Sequence, residues 1–249
     1  MIFGKWLVMS NVQSLIPTGL LKEIAVLLSF IVWLCFPKVT MGEALICSDS
    51  RVEIQIVNTG IHGEVCTAAE LAVTFLSQQG LALNHPVRIE VLEQPVLRLG
   101  YSAYGSYDSR KDLVRVMSPE AIQSSATAPL IFNQPFDRSH YLGIIAHEVA
   151  HALIHQNSRI APLPLGVAAQ EYLACVTQLA VLPEKQRERM ISDAGVGPWE
   201  AGDIISGVYM EIAPDRFAVK SYLHFQQLQS PSSFVQRLLR SRWHYVNVD

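Results

Sequence analysis

Charge is scarce in this 249-residue chain: Asp, Glu, Lys and Arg together make up 16% of it, and the formal net charge is −3. No basic cluster stands out, which removes the electrostatic footprint of a nucleic-acid-binding protein. Apolar runs of bilayer length are also missing. Ile24–Phe36 (IAVLLSFIVWLCF) has 13 residues, against the about 20 that a membrane-spanning helix needs. No internal repeat, low-complexity tract or Gly/Ser linker divides the chain. With 50% hydrophobic residues it has ample core for one domain of up to two lobes.

The short apolar run reads as a leader. Lys22 precedes it, Pro37-Lys38 follows it, and Gly42-Glu43-Ala44 offers small residues for cleavage after Ala44. Residues 1–44 are therefore expected to be a signal peptide, with an uncleaved N-terminal anchor as the alternative. Residues 45–249 would form the mature domain, with no stable membrane association once the leader is gone. Export sorts the four cysteines. Cys35 belongs to the leader, and Cys175 sits in an apolar helical run as a small buried hydrophobe. Cys47 and Cys66 remain to form a disulfide in an oxidising, periplasmic or extracellular compartment.

The chemistry is concentrated in one stretch, Tyr141-Leu-Gly-Ile-Ile-Ala-His147-Glu148-Val-Ala-His151-Ala-Leu-Ile-His155. It carries H-E-x-x-H inside an apolar, helix-compatible run. Residues four apart on a helix share a face, so His147 and His151 present two imidazoles to one metal. Glu148 leans toward the open side of that site. His155 lies about 12 Å along the helix from His147, too far to share the metal; it suits the negative end of the helix dipole.

A zinc site needs a further ligand, and Glu171 is the only acidic residue between His151 and Glu184. It falls in a second apolar run, Leu165–Ala180, where an unpaired carboxylate is costly. With 20 residues from His151 to Glu171, the stretch Tyr141–Ala180 resembles the gluzincins, the thermolysin-like zinc metallopeptidases. The resemblance implies Zn²⁺ on His147, His151 and Glu171. It implies peptide or protein substrates cut by a zinc-activated water with Glu148 as general base. One departure is Cys175, where the thermolysin-like pattern has an aspartate that orients a histidine ligand. That duty then falls to another group, such as Gln170 or a backbone carbonyl. Tyr209, Tyr222 and His224 are candidate oxyanion donors.

Alternation marks strands at Arg51–Val57 and Val87–Leu92, and a hairpin of Tyr101–Tyr107 with Leu113–Met117. A helix spans Glu64–Gln79. Ser118-Pro119 opens another, Ala126–Pro135 is loop-like, and Asp137 or Ser139 starts the H-E-x-x-H helix. Prolines open helices at Pro183, Pro198, Pro214 and Pro231. The expected fold is α+β and zincin-like: residues 45–156 an α/β lobe with a small mixed sheet and the H-E-x-x-H helix, residues 157–249 an all-helical lobe. The leading functional expectation is an exported zinc metallopeptidase. The alternatives are an inactive envelope or secreted module with structural zinc, and a zinc hydrolase of non-peptide substrates.

Overall fold

Alternating burial builds the sheet. The computed structural model describes residues 43–47, 51–94, 96–98, 101–125, 130–158, 166–240 and 245–248. After Glu43–Ile46 (β1), Val52–Ile56 (β2) turns Val52, Ile54 and Ile56 into the core and Glu53 and Gln55 outward. Val87–Leu92 (β3) repeats the pattern. Val96–Arg98 (β4) and Tyr101–Ala103 (β5) pair with each other, and Gly105–Asp108 (β6) pairs with Leu113–Met117 (β7). The main sheet has the order β1-β2-β3-β7-β6. Its three central strands are parallel, and β1 and β6 are antiparallel edges. The expected Tyr101–Met117 hairpin is thus shorter, because Tyr101–Ala103 turns away to pair with β4. The expected cleavage point after Ala44 falls inside β1, where Ala44 sits opposite Gln55.

A helix, His62–Gln78 (α1), makes the crossover from β2 to β3 that parallel pairing requires. Pro119–Ser124 (α2) starts where expected, with Ser118 Oγ accepting from the Ala121 N–H at 3.1 Å. Leu130–Ile131 (β8) and Gln134–Pro135 (β9) form a two-stranded hairpin within the stretch expected to be loop. Arg138–Asn157 (α3) follows, capped by Asp137, whose carboxylate accepts from the His140 N–H at 2.9 Å. Then come Val167–Val181 (α4), Glu184–Ala194 (α5), Gly207–Ile212 (α6), Pro214–Gln227 (α7) and Pro231–Leu238 (α8). Residues 42–249 form one compact unit.

The fold is α+β, with a small mixed sheet and several helices, but the C-terminal half is not all helical. Ile204–Ser206 (β10) pairs antiparallel with Tyr245–Asn247 (β11). The helix expected over Pro198–Ile212 shrinks to α6 for two reasons. Gly202 takes a left-handed conformation (φ 89°). Trp199 is buried and pinned to α7, its indole N–H donating to Ser221 Oγ at 3.1 Å. Ile24–Phe36, Cys35 and the Pro162–Pro164 segment lie outside the described residues. Among the described residues, no helix is long and apolar enough to cross a membrane.

Cys47 and Cys66 are joined by a disulfide that ties the segment after β1 to the first turns of α1. The bridge fits an oxidising, extracytoplasmic environment. Its 19-residue separation makes it a brake on the unfolded chain worth about 3 kcal/mol. Reduction is expected to lower the unfolding free energy by that amount. Denaturant titrations with and without a thiol reductant measure it, and coincident curves would remove the bridge from the stability account.

α3 is the centre of the molecule. It packs on α1, on α4 and on the β6–β7 side of the sheet, so nearly all of its faces are buried. Small residues make this possible. A Cβ at Gly143 would lie 3.2 Å from Gln178 Cγ and 3.3 Å from Leu182 Cδ2, so the glycine is what lets α4 approach.

Candidate metal centre

The close contact of α3 with α4 builds the site. His147 and His151, one helical turn apart, point their rings to the same side, with Nε2 atoms 3.2 Å apart. Glu171, from the first half of α4, brings its carboxylate to both: Oε2 is 3.4 Å from His147 Nε2, and Oε1 is 3.6 Å from His151 Nε2. Ordinary zinc bond lengths place the donor atoms of one tetrahedral ion about 3.3–3.5 Å apart. The two imidazoles and one carboxylate converge at that spacing, with the donor types zinc prefers. The three residues expected from sequence are brought together, and they fit the ion.

His147 is oriented from behind. Its Nδ1 lies 3.1 Å from Gln178 Oε1, and the Gln178 side chain gets there by passing over Gly143. Once the ring is neutral, an Nδ1–H donated to the amide oxygen leaves Nε2 free for a metal, which is the tautomer a ligand needs. Gln178, rather than Gln170, holds this ring. The signal was present in the sequence: Gln178 lies seven residues, two helical turns, after Glu171 on the same face of α4.

Cys175 lies between them on that face and is buried. One donor atom from each of His147, Glu171 and Cys175 falls within a common 4.8 Å. Burial raises the Cys175 pKa more than its hydrogen bond to His147 lowers it, so the thiol keeps its proton. Burial also disfavours a charge on His147. Its hydrogen bonds to Cys175 and Glu171 outweigh that, and the metal-free imidazole is held well above its ordinary pKa.

Glu148 is buried on α3 and faces the edge strand. A Cβ on Gly105 of β6 would lie 2.7 Å from Glu148 Cγ and 2.9 Å from its Oε1. Only glycine lets the strand close over this side chain. Glu148, His147, His151 and Glu171 line a cavity of about 310 Å³ together with Ala103, Tyr104 and Gly105. The carboxyl group therefore opens onto the same space as the three metal donors.

The oxyanion donors expected from the C-terminal helices are not at the site. None of Tyr209, Tyr222 and His224 lines this cavity. Tyr209 packs edge-on against Trp199 at 5.3 Å. Tyr222 lies under the Arg187 guanidinium. His224 Nδ1 is 2.7 Å from Tyr172 Oη inside the core. Burial holds that imidazole below its ordinary pKa, so the phenol donates to a neutral ring. Each ring is taken up by packing that periodicity along a single helix does not reveal. Tyr104, which sequence reading left as a sheet residue, does line the cavity. His155 sits in the last turn of α3 with its ring 5.8 Å from Tyr107, and so takes no part in the metal centre.

Residues 52–248, a span that contains every residue of this centre, match the family described as "Family of unknown function (DUF6639)", and the chain belongs to that family. No curated protein and no solved structure matches it.

Proposed function

We propose that this member of the family is an exported, zincin-like zinc metallopeptidase that hydrolyses peptide bonds. The observation that carries the reading is the convergence of His147, His151 and Glu171 at 3.2–3.6 Å, with Glu148 opening onto the same cavity. His147, His151 and Glu171 would hold Zn²⁺. When bound, it supplies a Lewis acid that polarises a substrate carbonyl and lowers the pKa of a water ligand to about 7.

The protein's own groups do the rest. Gln178 fixes the His147 ring. Glu148 accepts the proton of the attacking water on its carboxylate and delivers it to the departing amine. β6 is an edge strand of the main sheet beside α3. An edge strand can accept an extended peptide, which would lie across the cavity with its carbonyl near Glu148. Metal analysis of protein purified without chelator is the first test: about one zinc per chain is expected, and none after zinc addition would end the reading.

Gly105 gives a sharper check. Gly105→Ala would drive a methyl into the Glu148 side chain, so peptide turnover should fall by about tenfold or more through a displaced proton acceptor. Zinc content should not change, because the three atoms nearest that methyl position all belong to Glu148 and none to His147, His151 or Glu171. Full activity in this variant would place the proton transfer on a group other than Glu148.

A pH dependence also follows. The folded pKa of metal-free His147 lies above its unfolded value. Its contribution to stability is complete below the unfolded pKa of about 6.5 and is lost as pH rises through the folded value. Metal binding requires the unprotonated rings and so strengthens over the same interval. The gain in Tm on adding zinc should therefore grow as pH rises above about 6.5. A gain that shrinks with pH would contradict the assignment of the histidines as ligands.

A second reading, a secreted module with structural zinc, draws on Cys175. A fourth protein donor beside His147 and Glu171 would close the site to substrate. Metal retention together with inactivity toward peptides in the unmodified protein would favour it.

A further inference from the structure

The metal centre has a second opening. On the side away from β6, a cavity of about 370 Å³ reaches the centre, with His147, Glu171 and Gln178 shared between it and the cavity at Glu148. Cys175 of α4 lines it too, and its other walls come from three elements. The β8–β9 hairpin contributes Phe132, α6 contributes Met210 and Glu211, and α7 contributes Pro214, Asp215 and Ala218.

These walls are apolar with two carboxylates, and among the described residues no Lys or Arg lines the cavity. Among the described residues, no cation pairs with Asp215 or Glu211, and Asp215 Oδ2 accepts from the Asn133 side-chain amide at 3.4 Å. Burial raises the Asp215 pKa, as expected of a carboxylate that loses water and gains no counter-charge.

The hairpin that supplies the aromatic wall is strained. Phe132 and Asn133 both have positive φ, 52° and 58°. Asn tolerates that region, but a buried Phe there is an outlier held in place by its surroundings. The same turn thus sets Phe132 into the cavity wall and Asn133 against Asp215.

We infer that this cavity is a side-chain subsite for a lysine or arginine of the substrate, next to the bond that is cut. The aliphatic stem lies against Phe132, Met210 and Ala218, and the cationic head meets Asp215 and Glu211. Long basic side chains bury their stems and keep their charged ends on polar groups in this way. The inference rests on the peptidase reading, and it names the substrate class.

The test uses the zinc-loaded full chain and one peptide frame, in which the residues on either side of the cleaved bond are varied singly among Lys, Arg, Leu and Glu. A preference of tenfold or more in kcat/KM for Lys or Arg over Leu and Glu is expected on one side of that bond. Asp215→Asn should reduce the preference by about tenfold, with the Leu peptide cut as before. Glu211→Gln, on an exposed residue of α6, should reduce it less, and it covers the case in which the Asp215 variant does not fold. A binding readout runs beside these. Nα-acetyl-arginine amide, titrated into metal-free protein, should perturb the NMR methyl signal of Met210 in the wild type and not in Asp215→Asn. Peptides cut without basic preference, or with a preference that neither variant moves, would overturn the subsite alone. No cleavage of any peptide by zinc-loaded protein would overturn the peptidase reading and the subsite with it.

Discussion

Replacing Glu148 by glutamine is expected to leave zinc bound and to lower peptide turnover by about 10²-fold or more. The amide matches the carboxylate in shape, so it should fill the same space against Gly105, where a Cβ would already be within 2.9 Å of Oε1. What it loses is the ability to accept a proton. Glu148 is not among the three groups whose donor atoms converge between α3 and α4, so the metal should not register the change. Turnover and zinc stoichiometry, measured on the same preparation, therefore separate an enzyme from a scaffold. A variant as active as the wild type would move the chemistry away from this carboxylate. In the structural-zinc reading, wild type and variant would be equally inert and equally loaded.

Glu171→Ala should weaken zinc binding by more than the 10- to 100-fold that losing even an outer-shell partner costs. The substitution removes the carboxylate whose oxygens lie 3.4 and 3.6 Å from the two Nε2 atoms and leaves two imidazoles, too few for a tetrahedral protein site. A competition titration with a chelator reads the loss directly. If the variant held zinc as tightly as the wild type, the third ligand would have to come from Glu184, Glu188, Asp203 or His224. The structure makes that outcome hard to reach. Asp203 accepts from the Glu200 N–H at 3.0 Å and lies 3.6 Å from Lys220 Nζ. His224 is engaged with Tyr172. None of the four lines either cavity at the metal centre.

Much of this centre was legible because it obeys local rules. His147 and His151 share a face by helical pitch alone. Glu171 stood out as a charge in an apolar run, where a carboxylate needs a partner. Asp137 announced the start of α3, since an extended aspartate satisfies the free N–H groups of the first turn. Cys47 and Cys66 could be paired once export set the compartment. The strands β2 and β3 could be read from alternation, because a sheet with one face on the core buries every second residue. Where local rules competed, the reading failed. Pro198 looked like a helix start, yet Trp199 is buried against α7 with its indole N–H on Ser221, and Gly202 at φ 89° is not helical backbone.

By itself the sequence picked out the candidate metal donors, because side-chain identity and helical spacing are properties of a few contiguous residues. It also determined the strands β2 and β3 and the disulfide partners, through patterning and the cysteine count, whereas the parallel pairing of β2, β3 and β7 appears only in the fold. Only the tertiary structure decided the rest, and the reason is the same each time: the deciding contact joins elements far apart in the chain. Gln178 reaches His147 because Gly143 lets α4 approach α3. Glu148 has its place because β6 carries glycine at 105. Tyr209, Tyr222 and His224 are withdrawn into packing that no single-helix pattern encodes. The acidic cavity exists only where the β8–β9 turn, α6 and α7 meet beside the metal donors. A residue's chemistry is written locally, but its partners are set by which surfaces the folded chain presses together.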